Sequence, residues 1–126
     1  MSKSFEIGPR PVEIRHKQAE KELEVEFDDG VTFTLPAELL RVESPSAEVQ
    51  GHGPSQKTLI AGRREVGMMA IEPVGNYAIR ITFDDLHDTG IYTWSYLYDM
   101  GTNLDAIWSS YIDALEAAGL SRDPKA

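Results

Sequence analysis

Between Glu22 and Leu35 apolar and polar residues alternate on both sides of an Asp-Asp-Gly turn, a pattern that permits little besides a β-hairpin. Leu23, Val25 and Phe27 interleave with Glu22, Glu24 and Glu26. After Asp28-Asp29-Gly30 the apolar set resumes at Val31, Phe33 and Leu35. A two-residue Asp29-Gly30 loop pairs Phe27 with Thr32 and throws the two apolar sets onto opposite faces. A three-residue loop, Asp28 to Gly30, pairs Phe27 with Val31 and Val25 with Phe33. All six apolar side chains then share one face, with Gly30 in the left-handed position of a bulged turn. The three-residue loop is expected.

The rest of the chain is read around this hairpin. Residues 1–10 look like a loose arm, and a first strand runs from Pro11 to His16. Pro36 to Arg41 reads as about one helical turn with proline at its first position. From Glu43 to about Arg64 no periodicity is visible, and a stretch that long is usually functional or mobile. A second hairpin pairs Val66–Pro73 with Tyr77–Asp84 across Val74-Gly75-Asn76. Its second arm turns Tyr77, Ile79, Ile81 and Phe83 to the core, and Ala78, Arg80 and Thr82 outward. Ile91 to Tyr98 suits a short strand or a short helix. A final helix carries Leu104, Ile107, Trp108, Tyr111, Ile112, Leu115 and Ala118 on one stripe. Thr102 or Asn103 can cap its start and Gly119 its end. The tail, 121–126, is expected to fray. The fold class is α+β: a small, mostly antiparallel sheet of about five strands built from hairpins, with the C-terminal amphipathic helix packed on it. Residues 11–120 form a single domain.

Charge and composition exclude several functions. The formal net charge is −9, and beyond Arg63-Arg64 no basic cluster exists to meet a phosphate backbone, so no nucleic-acid partner is expected. No cysteine is present, which removes disulfides, thiolate nucleophiles and Cys-based zinc sites. With no apolar leader segment and no membrane-length apolar run, the expected location is the cytoplasm, with no membrane partner. No Gly-x-Ser-x-Gly elbow, phosphate-binding loop or His-x-Asp iron triad occurs. The histidines, His16, His52 and His87, stand one per region. Asp84, Asp85, His87 and Asp88 make the densest polar group, more often a solvated turn than an ion site. The alternating Tyr92, Trp94, Tyr96 and Tyr98 suit core packing better than a stacking platform.

Three segments together resemble the N-terminal domain family of gamma-butyrobetaine hydroxylase. They are Phe27-Asp28-Asp29-Gly30 running on to Leu39-Leu40-Arg41-Val42, then Glu72-Pro73-Val74-Gly75-Asn76-Tyr77-Ala78, then Phe83-Asp84-Asp85-Leu86-His87-Asp88-Thr89-Gly90-Ile91-Tyr92-Thr93-Trp94. The likeness covers roughly residues 11 to 100. It implies a small sheet-rich unit that precedes an iron- and 2-oxoglutarate-dependent oxygenase domain in carnitine-pathway enzymes. The unit also occurs beside iron–sulfur-carrier ATPases, and alone as short bacterial proteins. This chain looks like the stand-alone form, since an oxygenase barrel needs far more chain than follows Tyr98.

The oxygenase members hold structural zinc through Cys-Pro-Cys-x-x-Cys and a later histidine. The matching residues here are Ser44-Pro45-Ser46-Ala47-Glu48-Val49, with His87 at the remaining ligand position. Protonated hydroxyls and a valine cannot replace thiolates. The resemblance thus implies a degenerate zinc site, with His87 as the one weak metal candidate and no cofactor. The expected function is a non-catalytic accessory or protein-interaction domain with an unknown protein partner. Its surface would comprise Arg41, Ser44, Ser46, Glu48, His52, Asp85 and His87. The alternative is a metal-handling module that assists iron–sulfur assembly through His52, His87 and nearby carboxylates.

Overall fold

A computed structural model describes residues 8–124. Strands β1 (Pro11–Lys17), β2 (Glu22–Phe27) and β3 (Thr32–Pro36) form an antiparallel sheet in that order. The Phe27 amide donates to the Val31 carbonyl at 2.8 Å, and Val25 lies opposite Phe33. Gly30 has a φ of 88°. The hairpin has the three-residue loop, because only that register buries Leu23, Val25, Phe27 and Leu35 together.

Helix α1 (Ala37–Val42) starts one residue later than expected, with Pro36 as its N-cap. The aperiodic stretch after it holds the single turn α2 (Ala47–Gln50) and a 3-10 turn over Pro54–Gln56. Strands β4 (Met68–Val74), β5 (Ala78–Phe83) and β6 (Ile91–Thr93) then form a second antiparallel sheet, with β5 central. Ile79, Ile81 and Phe83 are buried as expected, but the first two positions of that arm are exchanged. Tyr77 lies exposed in the turn, whereas Ala78 is buried between Val74 and Thr93 of the flanking strands.

The expected single sheet is therefore two of three strands. Their edge strands β1 and β4 each slip register, at Val12 and at Met69, the irregularity that bends an edge out of line. Side chains join the sheets. His16 Nε2 donates to the Met68 carbonyl at 3.0 Å, Arg10 to the Asn76 carbonyl at 3.1 Å, and Lys21 to the Glu65 carbonyl at 2.9 Å. Of the expected arm, residues 1–7 lie outside the described residues, and Arg10 is tied down by this bond.

Ile91 to Tyr98 is both of the readings it allowed: β6, then helix α3 (Trp94–Thr102), with Thr93 Oγ1 accepting from the Tyr96 amide at 3.2 Å. α3 lies on β3, so close that a methyl group at Gly101 would overlap the Phe33 ring. Helix α4 (Leu104–Ala118) follows Asn103, whose side chain bonds back to the Asp99 carbonyl rather than capping α4. Gly119 ends it in the left-handed conformation, with φ 69°. Ser121 and Arg122, expected to fray, are held. Their carbonyls accept from Gly62 and Arg64, and Arg122 grips Glu38 at 2.7 and 2.9 Å.

The stripe of α4 is only partly covered. Tyr111 and Leu115 enter the core, while Leu104, Ile107, Trp108 and Ile112 pack against it half-buried and Ala118 is exposed. Leu115→Ala is expected to destabilise the fold by about 2–3 kcal/mol in a denaturant melt, toward the lower end for leucine truncations because α4 lies at the rim. Ile112→Ala should do less.

Candidate functional site

The turn of α2 follows α1 directly and lies against the turn after β5. Ser44 is wholly buried, Ser46 and Val49 nearly so, and His87 is 8% exposed. His87 Nε2 lies 3.0 Å from Ser44 Oγ and 3.4 Å from Ser46 Oγ, and Nδ1 lies 3.1 Å from Glu48 Oε1. A carboxylate only accepts, so the neutral ring donates from Nδ1 to Glu48 and accepts the Ser44 hydroxyl proton at Nε2. Thr89 Oγ1 donates to the same Glu48 oxygen at 2.9 Å.

Beside this cluster, the Asp85 carboxylate takes Arg41 Nε at 2.8 Å, Arg63 Nε at 2.7 Å and the His87 amide at 3.1 Å. Burial alone would raise the Asp85 pKa, but the His87 amide, Arg41 and Arg63 outweigh it and hold the carboxyl below its ordinary range. Arg41 is 7% exposed, and its Nη1 has no partner among the described residues.

Of the residues expected at the surface, Arg41, Ser44, Ser46, Glu48, Asp85 and His87 thus come together. Arg41, Ser44, Ser46 and His87 are buried beneath it rather than displayed on it. His52 does not join. Its ring is exposed on the loop and its amide bonds to the Gln56 side chain at 3.2 Å.

Ser44, His87 and Glu48 stand in the order of a hydrolase relay. Their surroundings oppose that chemistry, because Ser44 is shut from solvent, and with Pro45 and Tyr92 it packs on Gly90 so tightly that a methyl group there would overlap its hydroxyl. Nor do these residues fit zinc. Two hydroxyls bonded to a histidine, and a valine, supply no thiolate. Among the described residues no three His, Asp or Glu side chains gather closely enough to hold an ion.

A family model described as gamma-butyrobetaine hydroxylase-like, N-terminal, matches residues 14–98. The chain belongs to that family. Two solution structures determined by NMR resemble this member over most of its length. One is 45% identical with a TM-score of 0.80, covering 94% of this chain and 93% of the other. The second is 44% identical with a TM-score of 0.82, covering 100% and 94%. A crystal structure from Acidithiobacillus ferrooxidans, described as a protein of unknown function in the DUF971 family, is 37% identical. Its TM-score is 0.62, over 73% of this chain and 92% of that one. Among curated proteins none matches.

Within this family member the turn before His87 repeats the one before Val31. Phe27-Asp28-Asp29-Gly30-Val31 and Phe83-Asp84-Asp85-Leu86-His87 make the same three bonds. Gly30 and Leu86 amides donate to the Phe27 and Phe83 carbonyls at 3.0 and 2.9 Å. Phe27 and Phe83 amides donate to the Val31 and His87 carbonyls at 2.8 and 2.9 Å. Asp29 and Asp85 accept the Val31 and His87 amides at 3.0 and 3.1 Å. Leucine occupies the left-handed position in the second turn, with a φ of 74°. Leu86 was not among the residues expected at the site, and the repeated Phe-Asp-Asp was the signal for it.

His87 also sets a pH dependence. Burial first, then the Arg41 charge, push its pKa below the ordinary histidine value, against the pull of Glu48, Asp85 and Asp88. A base with a depressed folded pKa takes up protons more readily once unfolded. Stability is therefore expected to be full above about pH 6.5 and to fall as pH drops through the range below it. His87→Gln should flatten that part of a stability-against-pH profile.

Proposed function

We propose that this chain is a non-catalytic protein-interaction domain of the cytoplasm, with Arg41–Gln56 and Asp84–Thr89 as its working surface. The supporting observation is the inward turn of the two serines and the histidine at the centre of the site. Ser44, Ser46 and His87 satisfy one another, and Asp85 is occupied by two arginines. The hydrogen bonds between the two segments hold exposed Glu48 and Thr89 together in one surface. A preformed surface binds without an ordering penalty. The net charge of −9 argues against nucleic acid. Among the described residues no helix is long and apolar enough to cross a membrane.

Affinity capture from the native cell with the parent, Glu48→Lys and, as a control on α4, Glu116→Lys tests the reading. A protein retained by the parent and the control but lost with Glu48→Lys is the expected result. Equal retention by all three would place the surface elsewhere. The purified chain, without a polyhistidine tag, is further expected to carry no stoichiometric zinc or iron by elemental analysis. About one metal per chain would instead favour the metal-handling reading.

A further inference from the structure

Residues 121–123 sit on the rest of the chain much as a bound peptide sits in its site. Arg122 gives two guanidinium nitrogens to the two oxygens of Glu38, at 2.7 and 2.9 Å, and Glu38 is only 6% exposed. The Arg122 guanidinium carbon also lies 4.8 Å from the centre of the Trp108 ring. Two carbonyls pair with a neighbouring stretch in parallel order, Ser121 with the Gly62 amide and Arg122 with the Arg64 amide, both at 2.9 Å. The Arg64 guanidinium meets the Asp123 carboxylate. A bidentate buried carboxylate, an aromatic face and strand-like pairing together make a receptor for an arginine-bearing peptide.

The segment has no apolar anchor of its own. Gly119 ends α4, Leu120 is 43% exposed, and Ser121 and Asp123 are exposed. The receiving groups stand on elements that the core holds without it: Leu39 and Leu40 of α1, Tyr111 and Leu115 of α4, and Ala61 and Val66 on either side of 62–64. The cleft between that stretch and α4 also runs on past the segment. A hollow of about 230 Å³, walled by Val42, Leu59, Ile60, Tyr111 and Ala114 among others, lies where residues ahead of the arginine fall in the same parallel order. The tail cannot reach into it, because the residues ahead of its arginine are α4 itself.

We propose that Glu38, Trp108 and the amides of Gly62 and Arg64 form a peptide-binding site that the chain's own tail fills in the absence of a partner. Its ligand is an extended segment of another protein, with an apolar residue ahead of an arginine–acid pair. The arginine replaces Arg122 on Glu38, and the acid replaces Asp123 on Arg64. The apolar residue fills the hollow, a contact the tail lacks. The tail of a second copy offers nothing that the chain's own tail does not, and adds the repulsion of two chains of net charge −9. Glu38, Gly62, Arg64 and Trp108 lie outside 41–56 and 84–89, so this site and the surface above stand or fall separately.

Titrating acetyl-Leu-Leu-Ser-Arg-Asp-amide into the full chain carrying Arg122→Ala, read by heteronuclear NMR, tests this. Saturable shifts are expected at the Ile60, Gly62 and Arg64 amides and at the Trp108 indole. The parent should bind the peptide about tenfold more weakly or worse, because its tail competes at high effective concentration. Lysine in place of the peptide's arginine should also cost about tenfold, since an ammonium cannot bridge both Glu38 oxygens. No saturable shift, equal binding by parent and variant, or equal binding of the lysine peptide would overturn the site. Shifts that spare Ile60 would overturn the apolar subsite. Should Arg122→Ala fail to fold, the parent decides: at millimolar concentration the arginine peptide alone must move the same signals, and its failure overturns the proposal. A dimer of the parent in sedimentation, lost in Arg122→Ala, would make a second copy the occupant and overturn the assignment to another protein.

Discussion

Replacing Ser44, Ser46 and Val49 together by cysteine is expected to give a chain that binds one zinc ion tightly under reducing conditions, with His87 as the fourth ligand. The geometry is close to what the ion needs. Tetrahedral ligands at about 2.0–2.3 Å from zinc stand roughly 3.5 Å apart. The Ser44 and Ser46 hydroxyls already lie 3.0 and 3.4 Å from His87 Nε2. Val49 is buried in the same turn, its amide bonded to the Ser46 carbonyl at 3.1 Å. His87 would have to release no more than the two serine contacts, since Nδ1 keeps Glu48, the second-shell carboxylate that metal-bound histidines commonly have. Structural zinc with such a ligand set is worth on the order of 10 kcal/mol in apparent binding, which would appear as a large rise in melting temperature. Isothermal titration with zinc reads the outcome. A triple variant that folds yet binds no zinc would show that residue 49 does not reach the ion's position.

Asp85→Ala is expected to be the most damaging single substitution at the surface, by about 3–5 kcal/mol. Arg41 and Arg63 both end on one Asp85 oxygen, and Arg41 is buried with one nitrogen already unpartnered. Removing the carboxylate strands a buried guanidinium and frees the His87 amide, whereas Arg63, a third exposed, can turn to water. Asp85→Asn keeps the acceptor for the His87 amide and should recover part of the loss. A double change, Asp85→Ala with Arg41→Met, should cost less than Asp85→Ala alone, because no buried charge is left behind. Urea melts of these variants separate the charge from the hydrogen bond.

How much of this was legible depended on whether a local pattern decided the outcome. The first hairpin was readable because six apolar residues can share a face in one register only. Helix α4 was readable from its spacing and from Gly119. The division into two sheets was not, since it follows from register slips at Val12 and Met69 that no residue type announces. Tyr77 and Ala78 were misplaced because alternation was carried one residue into a turn. The gathering of residues 44–49 around His87 came from the family resemblance. No spacing in the chain foretells that contact. The burial of Ser44 and His87 was beyond either route, as it depends on Gly90 and Tyr92 packing from another element. Arg63 was read only as half of a basic pair, not as a partner of Asp85, because it lies in the aperiodic stretch, where nothing fixes which side chains converge.

The seam between the sheets has a consequence for the molecule's behaviour in a crowd. Side chains alone cross it, those of Arg10, His16 and Lys21 beside one apolar core shared by both sheets, so no backbone rung joins β1 to β4. The outer edges of β1 and β4 therefore have no strand partner, and such an edge is a template on which a neighbouring chain can add a strand. Straight edges would invite fibres. The slips at Val12 and Met69 interrupt each edge near its start, so that the molecule offers its neighbours no long, regular row to pair with.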